Sequence, residues 1–137
     1  MDSFTIQTRK RNEFVEITEQ VRQTLASSGV REGFGVVYCP HTTAAITINE
    51  NADPDVVHDM LLWFERSVPK DQPGFRHGEG NSDSHIKASL VGSSATVLAE
   101  EGRLVLGRWQ GVYFCEFDGP RKRTVQVKWI GDSGTSE

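Results

Sequence analysis

The chain has 137 residues, 36% of them hydrophobic and 25% charged, with a formal net charge of −4. That length fits one domain able to bury its own core. The acidic balance excludes a protein whose overall field gathers nucleic acid.

Phe4 to Thr8 alternates apolar and polar residues as a strand does, and so does Glu13 to Ile17. Between them, Arg9-Lys10-Arg11-Asn12 reads as a hairpin turn. Thr18 is placed to cap a helix carrying Val21 and Leu25 and stopping at Gly29. Gly33 to Cys39 and Ala44 to Asn49 are rich in β-branched and apolar residues and are predicted strands. Asp53-Pro54 is a helix start, with Asp as cap and Pro in the first turn. Val56, Val57, Met60, Leu61 and Phe64 follow at helical spacing and predict a core-facing stripe.

Pro69 to Gly80 is a loop rich in Pro, Gly and charge. A shorter helix is predicted from Ser82 or Asp83 through Leu90. Strands follow at Ala95 to Ala99, Leu104 to Leu106, Val112 to Phe117 and Thr124 to Ile130, with a tight turn at Glu101-Gly102. The last stretch, 130–137, ends in small polar residues and is expected to fray. Strands grouped at both ends, with separate helices between, predict a single α+β domain with a largely antiparallel sheet or sandwich and two or three helices.

Cys39 and Cys115 are too few and too far apart for a disulfide framework or a CxxC zinc site, and both read as buried thiols. No window approaches 18 consecutive apolar residues, and the first residues lack an apolar signal core. The expectation is a cytoplasmic chain that engages neither membrane nor nucleic acid.

Three of the four histidines fall outside obvious packing positions. His41 ends a strand, His77 lies in the Gly-rich loop, and His85 follows eight residues later. They either converge as three ligands of an open zinc or transition-metal site, or serve separately as surface and hydrogen-bonding groups. His58 sits inside the Asp53 helix and reads as surface. Glu50 ends an apolar strand and is a candidate general base or partner of a ligand histidine. Asp83 either caps its helix or acts directly. Glu116 and Asp118 alternate on one strand and read as exposed. Arg121-Lys122-Arg123 either grips a phosphate or begins a solvated strand. Trp109 and Gln110 sit between two glycines, where backbone can approach closely.

Three segments carry a resemblance. His41 through Glu50, Gly78 through Lys87, and Ser94 through Arg121 are similar to the YjbQ-like family of secondary thiamine-phosphate synthases, in the same order along the chain. Arg108 stands where that family usually has Thr, and Ala99 where it has a larger aliphatic residue. The resemblance implies an α+β homotrimer with His41, His77 and His85 in one pocket. It implies a divalent metal there, zinc or another transition metal from the ligand type, or Mg²⁺ if the synthase reaction holds. It implies that Glu50, Asn81, Asp83 and Arg121 lie close by, and it marks Trp109 and Gln110 as candidate substrate contacts. Glu50, Asp83 and Asn81 are then candidate catalytic residues.

The expected function is a metal-assisted enzyme acting on a small phosphorylated or anionic molecule, with thiamine-phosphate synthase activity implied by the resemblance. The alternative is a trimeric protein that binds such a ligand without turnover.

Overall fold

The computed structural model describes residues 1–132. Eleven elements follow in order: β1 (Asp2–Gln7), β2 (Glu13–Glu16), α1 (Thr18–Ser28), β3 (Gly33–Tyr38), β4 (Ala44–Glu50), α2 (Pro54–Ser67), α3 (Ser82–Val91), β5 (Ser94–Glu100), β6 (Arg103–Val105), β7 (Gln110–Glu116) and β8 (Lys122–Gly131). The predicted α+β class holds, with three helices and two antiparallel sheets. One sheet has the order β1-β8-β3-β5-β6 and the other β2-β7-β4.

The two sheets face each other across the main core. Ile6, Val37, Val97, Val125 and Val127 of the larger sheet meet Ala44, Ile46, Val112 and Phe114 of the smaller, and Ile17 and Val21 close one side. The other face of the smaller sheet turns Ala45, Tyr113, Cys115 and Phe117 toward Ala88 of α3 and Val57 and Phe64 of α2. β7 is therefore covered on both faces, which is why Val112 to Glu116 is buried without alternation.

Several expectations change. Arg9 to Asn12 is not a hairpin turn: β1 pairs with β8 and β2 with β7, so this loop carries the chain from one sheet to the other. Thr18 is the first residue of α1, not its cap. Its hydroxyl donates to Glu16 and accepts the Val112 N–H. Asp53 does cap α2, accepting the Asp55 N–H at 2.9 Å. The α2 stripe is only half covered, however, and no residue of that helix is fully buried. Glu101 and Gly102 turn with φ of 52° and 75°, a left-handed pair suited to a two-residue hairpin between β5 and β6. Residues 130 and 131 do not fray, because β8 pairs through Gly131 with Gly33. The expectation for 133–137 lies outside the described residues. Cys39 and Cys115 are free and buried as expected, and burial raises both thiols above their ordinary pKa. No helix among the described residues is long and apolar enough to cross a membrane.

Candidate functional site

At the end of the sheets where β4 begins and β7 ends, a cleft of about 410 Å³ opens. Its wall includes His41, His77, Asn81, His85, Arg121 and Arg123. The β3–β4 connection supplies His41, the long loop His77, and α3 His85, while Arg121 comes from just before β8 and Arg123 from its second residue. Thr42, Thr43, Glu79 and Asp118 complete the polar lining.

The base of the site is an ion pair buried between the sheets. Strand alternation puts Tyr113 and Cys115 on the helix side of β7, so Glu116 falls on the side facing the larger sheet. There it is fully buried, contrary to the exposed position expected for it. Its carboxylate accepts from Nε of Arg123 at 2.8 Å, from Nη2 of Arg123, and from the Thr8 hydroxyl at 2.7 Å. Nη2 of Arg123 also donates to the Thr43 hydroxyl at 2.9 Å. Breaking such a pair strands a charge away from water, which costs several kcal/mol. Arg123 is thus held rigidly at the cleft, and its Nη1 makes no hydrogen bond among the described residues.

Asp118 organises the rim. Its Oδ2 accepts from Nδ2 of Asn81 at 2.8 Å and from Nη2 of Arg121 at 2.9 Å, and its backbone carbonyl accepts from Nε of Arg121 at 2.8 Å. Nη1 of Arg121 is left over. Asp83 lies under the helix start, fully buried. It does not cap the helix: it accepts from Nη1 and Nη2 of Arg11, each at 3.0 Å, and from Nζ of Lys87 at 2.9 Å. Burial pushes this carboxyl up, but the hydrogen bonds and charges of Arg11 and Lys87 outweigh it and hold it at about 2. Asp83 therefore fixes α3 under the site and is not among the residues lining the cleft.

His41 accepts the Thr124 backbone N–H through Nε2 at 3.0 Å. A backbone amide only donates, so Nε2 carries a lone pair and the ring hydrogen of the neutral imidazole sits on Nδ1. Burial, and then the charge of Arg123, lowers the His41 pKa and keeps the ring neutral. His41 is consequently a fixed donor through Nδ1. The rings of His77 and His85 meet edge to face with centroids 5.5 Å apart, and neither ring forms a hydrogen bond among the described residues.

The expected three-histidine metal centre is corrected by this arrangement. The three rings line one cleft, but among the described residues no group of three or more His, Cys, Asp or Glu could hold a metal ion. The reason is chemical: a ligand histidine must present a lone pair, and that of His41 is already spent on Thr124.

Of the remaining candidates, Asn81 and Arg121 lie in the cleft, whereas Glu50, Trp109 and Gln110 do not. Glu50 pairs with Gln110 at one end of the β4–β7 ladder, and Ala44 pairs with Glu116 at the other, about 20 Å away at the rise of a strand. Gln110 accepts the Gly107 N–H at 2.7 Å, and Trp109 is exposed with the Arg108 guanidinium 4.7 Å from its ring centroid. Arg123, which the sequence offered with Arg121 as a phosphate grip, lines the cleft too, whereas Thr43 and Asp118 are members the sequence did not mark. Asp118 had only its alternation with Glu116 as a signal, and Thr43 had none. His58 is exposed, as expected, and its Nδ1 lies 2.9 Å from Asp59.

An antiparallel α+β fold with a histidine- and arginine-lined cleft defines the class of protein. The family model described as "UPF0047 protein YjbQ-like" matches residues 2–132, and the chain belongs to that family. UPF0047 protein YugU of Bacillus subtilis is 52% identical over 131 residues, covering 96% of this chain and 99% of that protein. UPF0047 protein MJ1081 of Methanocaldococcus jannaschii is 52% identical over 129 residues, covering 94% and 93%. Among solved structures, an uncharacterised YjbQ/UPF0047 family protein of Clostridium acetobutylicum superposes with a TM-score of 0.92 at 52% identity, covering 95% of this chain and all of that one.

These relatives are named only as UPF0047 or uncharacterised proteins, and none is named a thiamine-phosphate synthase. The expectation of that activity, and of a metal-assisted enzyme built around it, is corrected accordingly: family membership holds, and the reaction does not come with it.

Proposed function

We propose that the cleft recognises a small anion, phosphorylated or carboxylated. The observation that carries this reading is the set of unspent donors on one wall: Nη1 of Arg121, Nη1 of Arg123 and the Nδ1–H of His41. Guanidinium groups match the planar, multi-oxygen edge of such anions, and donors fixed in place bind them with little loss of side-chain freedom. Arg123 is fixed by Glu116, and Arg121 by Asp118. The threonine hydroxyls of Thr42 and Thr43 add neutral donors beside them.

Calorimetric titration of the protein with inorganic phosphate tests the reading. Saturable binding is expected, weakened at least tenfold in Arg121→Leu, because a hydrogen bond to a charged group contributes about 1.5–3 kcal/mol. No saturable heat at millimolar phosphate, or equal affinity in the variant, refutes it.

A further inference from the structure

We infer that the anion taken by this cleft carries a hydrogen-bond donor, a hydroxyl or an ammonium group, on a carbon next to its charged group. This rests on the anion-recognition reading and adds the ligand's chemical class to it.

The observation is at Asn81. This residue precedes the ten-residue helix α3, lines the cleft, and is 7% exposed. Its Nδ2 donates to Asp118, but its Oδ1 is the buried side-chain atom left without a hydrogen-bond partner among the described residues. Asparagine at this position commonly caps a helix through its side chain. Here it makes no such bond, so the helix does not use the oxygen.

The amide orientation is fixed. Turning it over would set Oδ1 against the Asp118 carboxylate, oxygen on oxygen, and lose the 2.8 Å bond. The oxygen is covered, so a donor reaches it only where the cleft wall gives way. An orphaned buried acceptor has lost its hydration without replacement, and a donor arriving in the cleft restores the missing bond. The rings of His77 and His85, which line the same cleft, form no hydrogen bond among the described residues, and we take them as the part of the wall that gives way.

Position gives the class. One oxygen, Oδ2 of Asp118, accepts from both Asn81 and Arg121. The acceptor in need of a donor and the guanidinium in need of an anion are therefore neighbours. A ligand that satisfies both has its anionic group and its donor on adjacent positions, as in a 2-hydroxy carboxylate or a phosphate ester with a hydroxyl on the next carbon. A bare alkyl phosphate or a simple fatty carboxylate meets only half of the site.

The test compares glycerol 3-phosphate, n-propyl phosphate and inorganic phosphate by calorimetry on the full chain. The two esters carry the same charge and differ in hydroxyls. Glycerol 3-phosphate is expected to bind about tenfold more tightly than propyl phosphate. In Asn81→Ala, with its fold checked by circular dichroism, that ratio is expected to fall to near one. Equal affinity of the two esters in the wild type overturns the inference while leaving anion recognition standing, and this comparison decides even if the variant does not fold. Retention of the full ratio in a folded Asn81→Ala also overturns it. Absence of binding by all three overturns both.

Discussion

The backbone N–H of Thr124 donates to Nε2 of His41 across 3.0 Å. This bond ties the first residue of the site to the start of β8 and fixes which imidazole nitrogen carries the hydrogen. It also gives a pH signature. The fold lowers the His41 pKa below its ordinary 6.5, so near and below that value the unfolded chain binds this proton more tightly. The contribution is present above about pH 6.5 and is lost as pH falls from there through the lowered folded value. Urea unfolding at pH 7.5 and pH 5.5 is expected to show lower stability at the acidic value. His41→Gln, which keeps an acceptor but does not titrate, is expected to flatten the difference.

Asp83 holds two cations, and Lys87, one of them, is almost completely buried. Asp83→Ala leaves the Lys87 ammonium without its counter-ion, and a loss of about 3–5 kcal/mol is expected in denaturant midpoints. The carboxyl sits at about 2, against an ordinary 3.8. Its contribution, roughly 2 kcal/mol, is therefore complete above pH 3.8 and lost as pH falls toward 2. A wild-type acid titration with no excess loss over Asp83→Asn in that window counts against the assignment.

Gly119 is placed where no side chain fits. A Cβ there would lie 2.8 Å from both Cγ of Glu116 and Oγ1 of Thr8, and would also meet the Lys10 carbonyl. Gly119→Ala is expected to destabilise by about 1–3 kcal/mol. It is also expected to weaken phosphate binding, because the pressure falls on Glu116, which holds Arg123. Unchanged stability and unchanged affinity would show that this junction does not set the site.

Much of this was legible in the sequence, for physical reasons. Strands and helices announced themselves through β-branched runs and through Asp53-Pro54, and the histidines stood out because no packing stripe claimed them. The β1–β2 crossover was not legible, since Arg9 to Asn12 is as good a turn as it is a bridge between sheets. Nor was the burial of Glu116 and Asp83: a charge on a strand or helix reads as surface until a partner, 7 or 72 residues away, is brought against it. Glu50, Trp109 and Gln110 drew attention by local oddity, and a strand ladder then carried them to the far end of the sheet.

The outer face of the larger sheet carries Ile130, Phe34, Leu98 and Val105 in one cross-strand row over β8, β3, β5 and β6, all at least partly exposed. A contiguous apolar row of this kind is a candidate contact surface. We propose that copies of the chain associate over it, forming the homotrimer that the sequence resemblance implies. Light scattering is expected to give the mass of three chains for the wild type and a lower mass for a folded Leu98→Lys. A wild-type monomer ends the proposal.

The central claim is that His41, His77 and His85 share one anion-binding cleft from which His58 is remote. Imidazole resonances followed by NMR during a titration with inorganic phosphate at constant pH and ionic strength test it most directly. The three cleft histidines are expected to shift together with one saturable midpoint while His58 stays still. Shifts that never saturate, or a His58 that moves with the same midpoint as the others, would contradict it.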